Sequence, residues 1–377
     1  MVFLGTGARG AGNLEFPVHP KIRVKRWRFV EGGVLQKIHY ILFGLWCLGY
    51  ALIWRPKLIY ASDPLICPIA LFIQRFTGVK LVYHEHDSPD SEDKEEGIGD
   101  RGKENDQNGI FQRIIMGSRR AVARMAEVCV LPNEERVEIF KRQTGTTRPV
   151  ECAWNVPGIN EIGPQKKKPD PKEPLKLFYG GSLSPERLPL VLVEEIVGVQ
   201  GAIQLEIVGY PTYSAKDYMQ TVNRLEQSSR PKVITYHGVL AERKDLLQIA
   251  DQCGAALCLM PMKGGDLNMR TMAGASNKPF DAMARGLAVV VSDLEEWKSL
   301  YLPGKKLERG DGYWISDMGY GIAINPESRE SIRAGLEWML NNREKIWEMG
   351  ERGRQKIQKE WNYEGRNKQV FRRIEAN

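Results

Sequence analysis

No CxxC pair occurs in this sequence, and its six cysteines (Cys47, Cys67, Cys129, Cys152, Cys253 and Cys258) sit mostly inside apolar runs. That pattern excludes a disulfide frame or zinc ribbon and predicts buried free thiols in a reducing compartment. There is no self-similarity at a fixed period, which excludes a repeat architecture. The opening residues MVFLGTGARG lack the basic-then-apolar layout of a secretion signal. Lysine and arginine form no stripe interleaved with aromatics, which argues against nucleic acid as the partner. Long apolar runs are also scarce. The exception is Ile38–Trp54, IHYILFGLWCLGYALIW. A membrane span needs roughly 20 such residues, so this one reads as a helix buried against a sheet. Its aromatics and basic flanks, Lys37, Arg55 and Lys57, also suit a helix lying in a membrane interface.

What is present is ordinary for a folded soluble chain: 377 residues, 42% hydrophobic and 27% charged. That length exceeds what one core usually serves, so two domains are expected. The net charge of +7 comes in scattered clusters, such as Lys166-Lys167-Lys168 and Arg119-Arg120 with Arg124. Such a balance suits a phosphate-rich small substrate or an anionic membrane face.

Short apolar strands alternate with helical stretches in both halves, the pattern of parallel α/β sheets. In the first half, Val2–Leu4, Ile22–Trp27, Leu58–Tyr60, Lys80–Tyr83 and Val128–Leu131 read as strands of one α/β domain. Helices are expected at Ile38–Trp54, Pro68–Phe76 and Ile114–Met125. The polar run Ser88–Asn108 reads as a mobile loop, and Gly158–Pro174, rich in Pro and Lys, as an interdomain linker. Leu175–Tyr179, Gln204–Val208, Val233–Tyr236, Ala255–Leu259 and Ala288–Val291 are the strands of a second series. Amphipathic helices at Ser328–Asn341 and Arg343–Glu360, then a piece ending at Ile374, close the chain. The expected domains are 1–165 and 166–360, with 361–377 packing back on the first.

GTGARG (Gly5, Gly7, Gly10) follows a strand, but a dinucleotide fingerprint needs a helix to open there. Pro17 and Pro20 obstruct one, so the motif is discounted. In the second half, Phe178–Arg187 reads FYGGSLSPER: a strand, a glycine turn and a helix start. Its glycines allow close backbone approach to a ligand, and Arg187 can pair with phosphate; any α/β domain, however, has such turns. Ser276–Gly286, SNKPFDAMARG, is more specific, because a loop feeds a helix that ends at glycine before the buried strand VVVSD. Amides at that helix start, aided by Lys278, would bind a diphosphate. Asp281 can accept from ribose hydroxyls, or be a plain carboxylate near a helix start.

At this point the chain resembles the family-4 glycosyltransferases. Further matches run in order: IYASDP, VYHEHD, Trp154-Asn155-Val156-Pro157, LEIVG at Leu205–Gly209, YHG at Tyr236–Gly238, GIAINP at Gly321–Pro326 and MGERGRQKIQKEWNYE at Met349–Glu364. The resemblance covers nearly the whole chain. It implies an α/β GT-B fold, two Rossmann-like domains facing across a cleft. It also implies a nucleotide-sugar donor held mainly by the second domain, a glycan or lipid-linked acceptor on the first, and no metal or other cofactor. By that resemblance Asp281 matches the ribose-binding carboxylate, Arg187 and Lys278 the phosphate contacts and Gly181 the turn, with Ser182 and Asn277 beside them. His86 matches a histidine near the reacting sugar, its neighbours Glu85 and Asp87 favour a site, and Asp87 is the other catalytic candidate.

Two departures stand out. The family usually places a glutamate eight positions before the ribose-binding carboxylate, where this chain has Ala273; Asp266 is the candidate substitute. The family also opens with a βα unit, ~30 residues or more, ahead of the strand that Val2–Leu4 resembles, so the first domain is expected to be shortened. The expected enzyme is a cytoplasmic, hexosyltransferase-like, retaining glycosyltransferase, with peripheral contact at the inner face of a membrane as the alternative placement. With inversion instead, His86 or Asp87 would be the base. The competing readings are a nucleotide-sugar epimerase and a catalytically weak partner subunit.

Overall fold

The computed structural model describes residues 1–7, 18–89, 106–170, 172–199, 202–212, 216–228, 232–304 and 307–375. Gly10 and most of the Ser88–Asn108 run lie outside the described residues. The chain divides into two compact units, Met1–Cys152 with Val370–Asn377, and Ala153–Gln369.

The first unit contains β1 (Val2–Thr6), β2 (Arg23–Trp27), α1 (Val34–Trp54), β3 (Leu58–Ser62) and α2 (Cys67–Thr77). β4 (Lys80–His84), α3 (Asp106–Met125), β5 (Val128–Leu131), α4 (Glu134–Thr144) and β6 (Val150–Cys152) follow. β3, β4, β5 and β6 form a parallel sheet in that order. Its central strands are continuous buried runs such as VCVL, as a sheet covered on both faces requires. β1 and β2 do not join it; they pair with each other, in parallel, as a separate two-stranded sheet. One sheet was expected. β2 reads RVKRW with Arg23, Lys25 and Arg26 exposed, and a strand carrying those charges cannot be buried on both faces. Trp27 fastens it to α1, its ring 5.2 Å from His39, 5.9 Å from Phe43 and 5.5 Å from Trp46.

α1 also departs from expectation. It starts at Val34 and runs 21 residues, long and apolar enough to cross a membrane. Only Phe43, Gly44, Cys47 and Ala51 are buried, in a cluster with Ile69 and Ile73 of α2. Ile41, Leu45 and Ile53 are 61%, 52% and 82% exposed. The much shorter α2 covers one stripe of α1, and Trp27 and Phe111 reach His39, Tyr40 and Trp46, while Ile41, Leu45 and Ile53 stay open to solvent. α3 begins at Asp106, ahead of the expected Ile114. α4 was not anticipated, although its signals are local: the Asn133 side chain accepts from the Arg136 amide, Glu134 and Glu135 occupy the first turn, and Gly145 ends it at φ 61°. At the far end of the chain, Arg373 pairs with Glu151 of β6.

The second unit holds β7 (Leu175–Leu183), α5 (Leu190–Gly198), β8 (Ile203–Pro211), α6 (Lys216–Ser228), β9 (Ile234–Tyr236) and α7 (Arg243–Asp251). β10 (Ala255–Cys258), α8 (Leu267–Arg270), α9 (Asn277–Ala284), β11 (Ala288–Ser292) and α10 (Glu295–Tyr301) come next. β12 (Leu307–Arg309), β13 (Tyr313–Ser316), β14 (Gly321–Ile324), α11 (Arg329–Asn341), α12 (Arg343–Lys359), α13 (Tyr363–Arg366) and α14 (Lys368–Glu375) complete the chain. The parallel strands lie in the order β9-β8-β7-β10-β11-β14, and β13 and β12 extend that sheet antiparallel. Counting β7 as the first strand of the unit, this is the 3-2-1-4-5-6 order of doubly wound nucleotide-binding sheets. The order reverses between β7 and β10, and ligands of such sheets bind at the carboxyl ends there.

Gly158–Pro174 is not a free linker. The Gly163 amide donates to Ala284 O at 2.9 Å, and Trp347 Nε1 donates to Lys166 O at 3.0 Å. The Lys166 ammonium caps the last turn of α7 through Ala250 O and Cys253 O, where free carbonyls attract a cation. The Trp154–Pro157 stretch likewise belongs to this unit. Trp154 stacks on Phe280 of α9 at 5.5 Å, meets Trp361 at 5.3 Å and carries Arg366 over its face at 4.0 Å. The Asn155 side chain donates to Ala275 O at 2.7 Å, so this segment braces the turn that leads into α9.

Candidate functional site

The carboxyl end of β7 is built for close approach. Gly181 has φ +131° and faces Gly209 of β8, which has φ +153°; both lie in the region that favours glycine. A Cβ on Gly209 would sit 1.8 Å from Gly181 O, and one on Gly181 would sit 2.6 Å from Lys278 Cε. The two glycines thereby let the Lys278 side chain cross the strand end. Its ammonium donates to the Tyr179 hydroxyl at 3.0 Å and lies 4.4 Å from that ring's centroid. The Tyr179 hydroxyl in turn donates to Ser182 O at 2.6 Å.

Burial pushes the Lys278 ammonium down to about 8, and the positive charge of Arg187 adds to the effect. Arg187 also acts on Tyr179, so the three groups share one locality. Neither Lys278 nor Arg187 has an ion-pair partner among the described residues. Beside them begins α9, whose first turn receives no side-chain cap. Two such cations, together with the Asn277 and Lys278 amides ahead of Pro279, can take a diphosphate.

Asp281 lies one turn inside α9. The Arg243 guanidinium, from the first residue of α7, donates Nη2 to its Oδ1 at 2.7 Å and Nη1 to its Oδ2 at 3.2 Å. Burial holds the Asp281 carboxyl above its ordinary range, with Arg243 opposing. Nε of Arg243 donates to Glu161. Asn277 is exposed at the head of the helix. Asp266 stands apart as the cap of α8, its Oδ1 accepting from the Met269 amide at 2.8 Å. Ala273 lies in the turn between α8 and α9.

His86 and Asp87 are in the first unit, just past β4. Asp63, at φ +68°, accepts from the His86 amide at 2.8 Å and the Asp87 amide at 3.4 Å. The His86 ring lies 3.8 Å from that of His84, which is hydrogen-bonded through Nδ1 to the Tyr60 hydroxyl. Burial, then the neighbouring His86, push His84 down to about 3, so its ring is neutral. Among the described residues, the buried His84 Nε2 has no hydrogen-bond partner. Side chains alternate along extended chain, which puts Tyr83 and Glu85 on the opposite face. There Glu85 receives Arg119 Nε at 2.6 Å, Arg119 Nη2 at 2.8 Å and the Tyr83 hydroxyl at 2.6 Å. Glu85 and Arg119 are both fully buried. Glu85 is thus a framework residue, against the expectation that it flanks His86 in a site.

The structure therefore brings Gly181, Ser182, Arg187 and Lys278 together, with Asn277 and Asp281 on the adjoining helix. Tyr179, Arg243 and Glu161 were missed. Tyr179 was within reach as a strand residue beside the glycine turn, whereas nothing in AERKD or INEIG signals Arg243 or Glu161. No group of three His, Cys, Asp or Glu side chains that could hold a metal occurs among the described residues.

Residues 192–372 match the family model described as Glycosyl transferase-like. No curated protein matches the sequence. Among solved structures, HepE of Anabaena in complex with UDP is similar over 100% of both chains, at 13% identity and a TM-score of 0.65. Sucrose-phosphate synthase from Thermosynechococcus elongatus is similar over 96% of this chain and 85% of its own, at 14% identity and a TM-score of 0.66. The lipopolysaccharide outer core galactosyltransferase WaaB is similar over 98% of this chain and 99% of its own, at 12% identity and a TM-score of 0.51. Residues 192–372 are thus a glycosyl transferase-like domain, in a chain with the α/β fold of GT-B glycosyltransferases.

Proposed function

We propose that this chain moves a hexose from a nucleotide-diphosphate sugar to a glycan or lipid-linked acceptor, with retention of configuration. The observation that carries this is the meeting of Lys278 and Arg187, neither ion-paired among the described residues, at the carboxyl end of β7 beside the uncapped start of α9. Those groups neutralise the leaving diphosphate, so no metal is required. Asp281 takes the ribose hydroxyls. In the retaining course the acceptor hydroxyl attacks the face the diphosphate leaves, and a leaving phosphate oxygen accepts its proton. With retention, neither His86 nor Asp87 is required as a base. HepE of Anabaena, which shares this fold, has been solved in complex with UDP and with UDP-glucose, and this supports a nucleotide-sugar donor.

The test is to incubate the protein with a panel of nucleotide sugars and membrane extract, and to follow free nucleoside diphosphate. Release from one donor that rises with extract and collapses in Asp281→Ala is the expected outcome. Epimerised sugar formed without extract, or nucleotide binding with no release from any donor, overturns it in favour of an epimerase or a non-catalytic partner subunit. The anomeric configuration of the product, read by NMR, decides retention; EDTA should leave the rate unchanged.

The lipid-linked acceptor is supported by the exposed apolar face of α1 beside the exposed Lys21, Arg23, Lys25, Arg26 and Arg28 on and around β2. Apolar area next to cations is what binds an anionic membrane surface, here at the cytoplasmic face. Sedimentation with vesicles containing phosphatidylglycerol, weakened by salt and by Ile41→Glu with Leu45→Glu, is the expected result. Full activity on a soluble acceptor, with no recovery on such vesicles, sinks this placement.

A further inference from the structure

Asp281 is not a free carboxylate. The Arg243 fork takes one position on each of its oxygens, at 2.7 and 3.2 Å, while the third edge of the same guanidinium is held by Glu161. Glu161 is itself fixed, its Oε2 accepting from the Gly158 amide at 3.2 Å. We propose that Arg243 is the positioning residue for the nucleotide's ribose, holding Asp281 charged and oriented as the acceptor for a cis-diol, with Glu161 as its counter-anchor. The inference rests on the reading of Asp281 as the ribose carboxylate.

Three features support it. A carboxylate offers about four lone-pair positions; the fork uses two, so one remains on each oxygen for two neighbouring hydroxyls. The trio carries two negative charges and one positive, so Arg243 does not cancel the charge the hydroxyls need. And Arg243 is a half-exposed side chain, 45% accessible, so replacing it leaves no core cavity.

The charged groups around Asp281 determine how removal would be felt. Arg243 of α7 faces its carboxylate directly, and the like charge of Glu161 opposes its ionisation. Cys258 of β10 is near, but burial raises its thiol to about 12, so it is neutral. On its own helix, Lys278 is turned to Tyr179 and Arg285 to Asp251. Without Arg243, burial and Glu161 both favour the protonated carboxyl, which has given up part of its accepting capacity. Without Glu161, one influence favouring protonation disappears.

The experiment measures binding of UDP, GDP and ADP to the full chain by calorimetry from about pH 5 to about pH 8, for the wild type, Arg243→Met, Glu161→Gln and Asp281→Asn. The best nucleotide should bind Arg243→Met ~10–100-fold more weakly at the acid end, recovering as pH rises, with a midpoint above that of the wild type. Glu161→Gln should move the midpoint the other way, and Asp281→Asn should bind weakly with no acid transition. A purely structural role would lower Tm without moving the midpoint. Arg243→Met tracking the wild type at every pH, while Asp281→Asn loses binding, overturns the inference and leaves the donor site standing. Wild-type binding by Asp281→Asn, or no nucleotide bound by the wild type, overturns both.

Discussion

Nucleotide binding to the second unit should take up a proton above neutral pH. In the free protein the Lys278 ammonium is pushed from its ordinary 10.5 to about 8 by burial and by Arg187. A diphosphate placed against it supplies the missing counter-charge and restores the ordinary value. Full restoration couples binding to protonation by about 3 kcal/mol at most, so UDP affinity should fall by up to ~100-fold between about pH 7 and about pH 10. Calorimetry near pH 9 in two buffers of different ionisation enthalpy reads the uptake directly, as a fraction of a proton per nucleotide. Lys278→Met should abolish the uptake and weaken binding at neutral pH by ~10–100-fold, the loss of one charge-assisted contact. The sign for the free protein is the opposite of a paired lysine. Its folded value lies below the unfolded one, so the unfolded chain binds more protons and stability rises as pH climbs from about 8 towards 10.5. Equal heats in the two buffers, together with unchanged affinity in Lys278→Met, would refute the reasoning.

Glu85→Gln should cost about 3–5 kcal/mol in urea unfolding, because it strands a buried guanidinium; a loss under about 1 kcal/mol contradicts the framework role of that pair. Gly209→Ala combines a left-handed backbone with a Cβ 1.8 Å from Gly181 O. It should lower Tm and also displace Lys278, so UDP binding should fall in whatever protein remains folded. Trp154→Ala should remove about 3–5 kcal/mol of stability, through the ring cluster with Phe280 and Trp361. A Tm within a degree of the wild type would count against that brace.

Much of the architecture could be read along the chain because it depends on local pattern. β5 and β11 are continuous apolar runs, and α11 and α12 have a clear helical period, so their placement needed no knowledge of neighbours. The glycine turn at the end of β7 and the loop entering α9 were legible for the same reason, and with them Gly181, Arg187, Lys278 and Asp281. Three-residue strands such as β6 and β12 carry too little pattern to register. Pairing was another matter. Whether β2 joins the main sheet depends on which face it can bury, and whether α1 is covered depends on the length of its partner helix. Side-chain company is more remote still. Arg243 reaches Asp281 across 38 positions and Glu161 across 82, and Arg119 meets Glu85 across 34. Periodicity within a segment records which side must be buried. The identity of the group waiting there is set by how the segments pack, and that is a property of the folded chain alone.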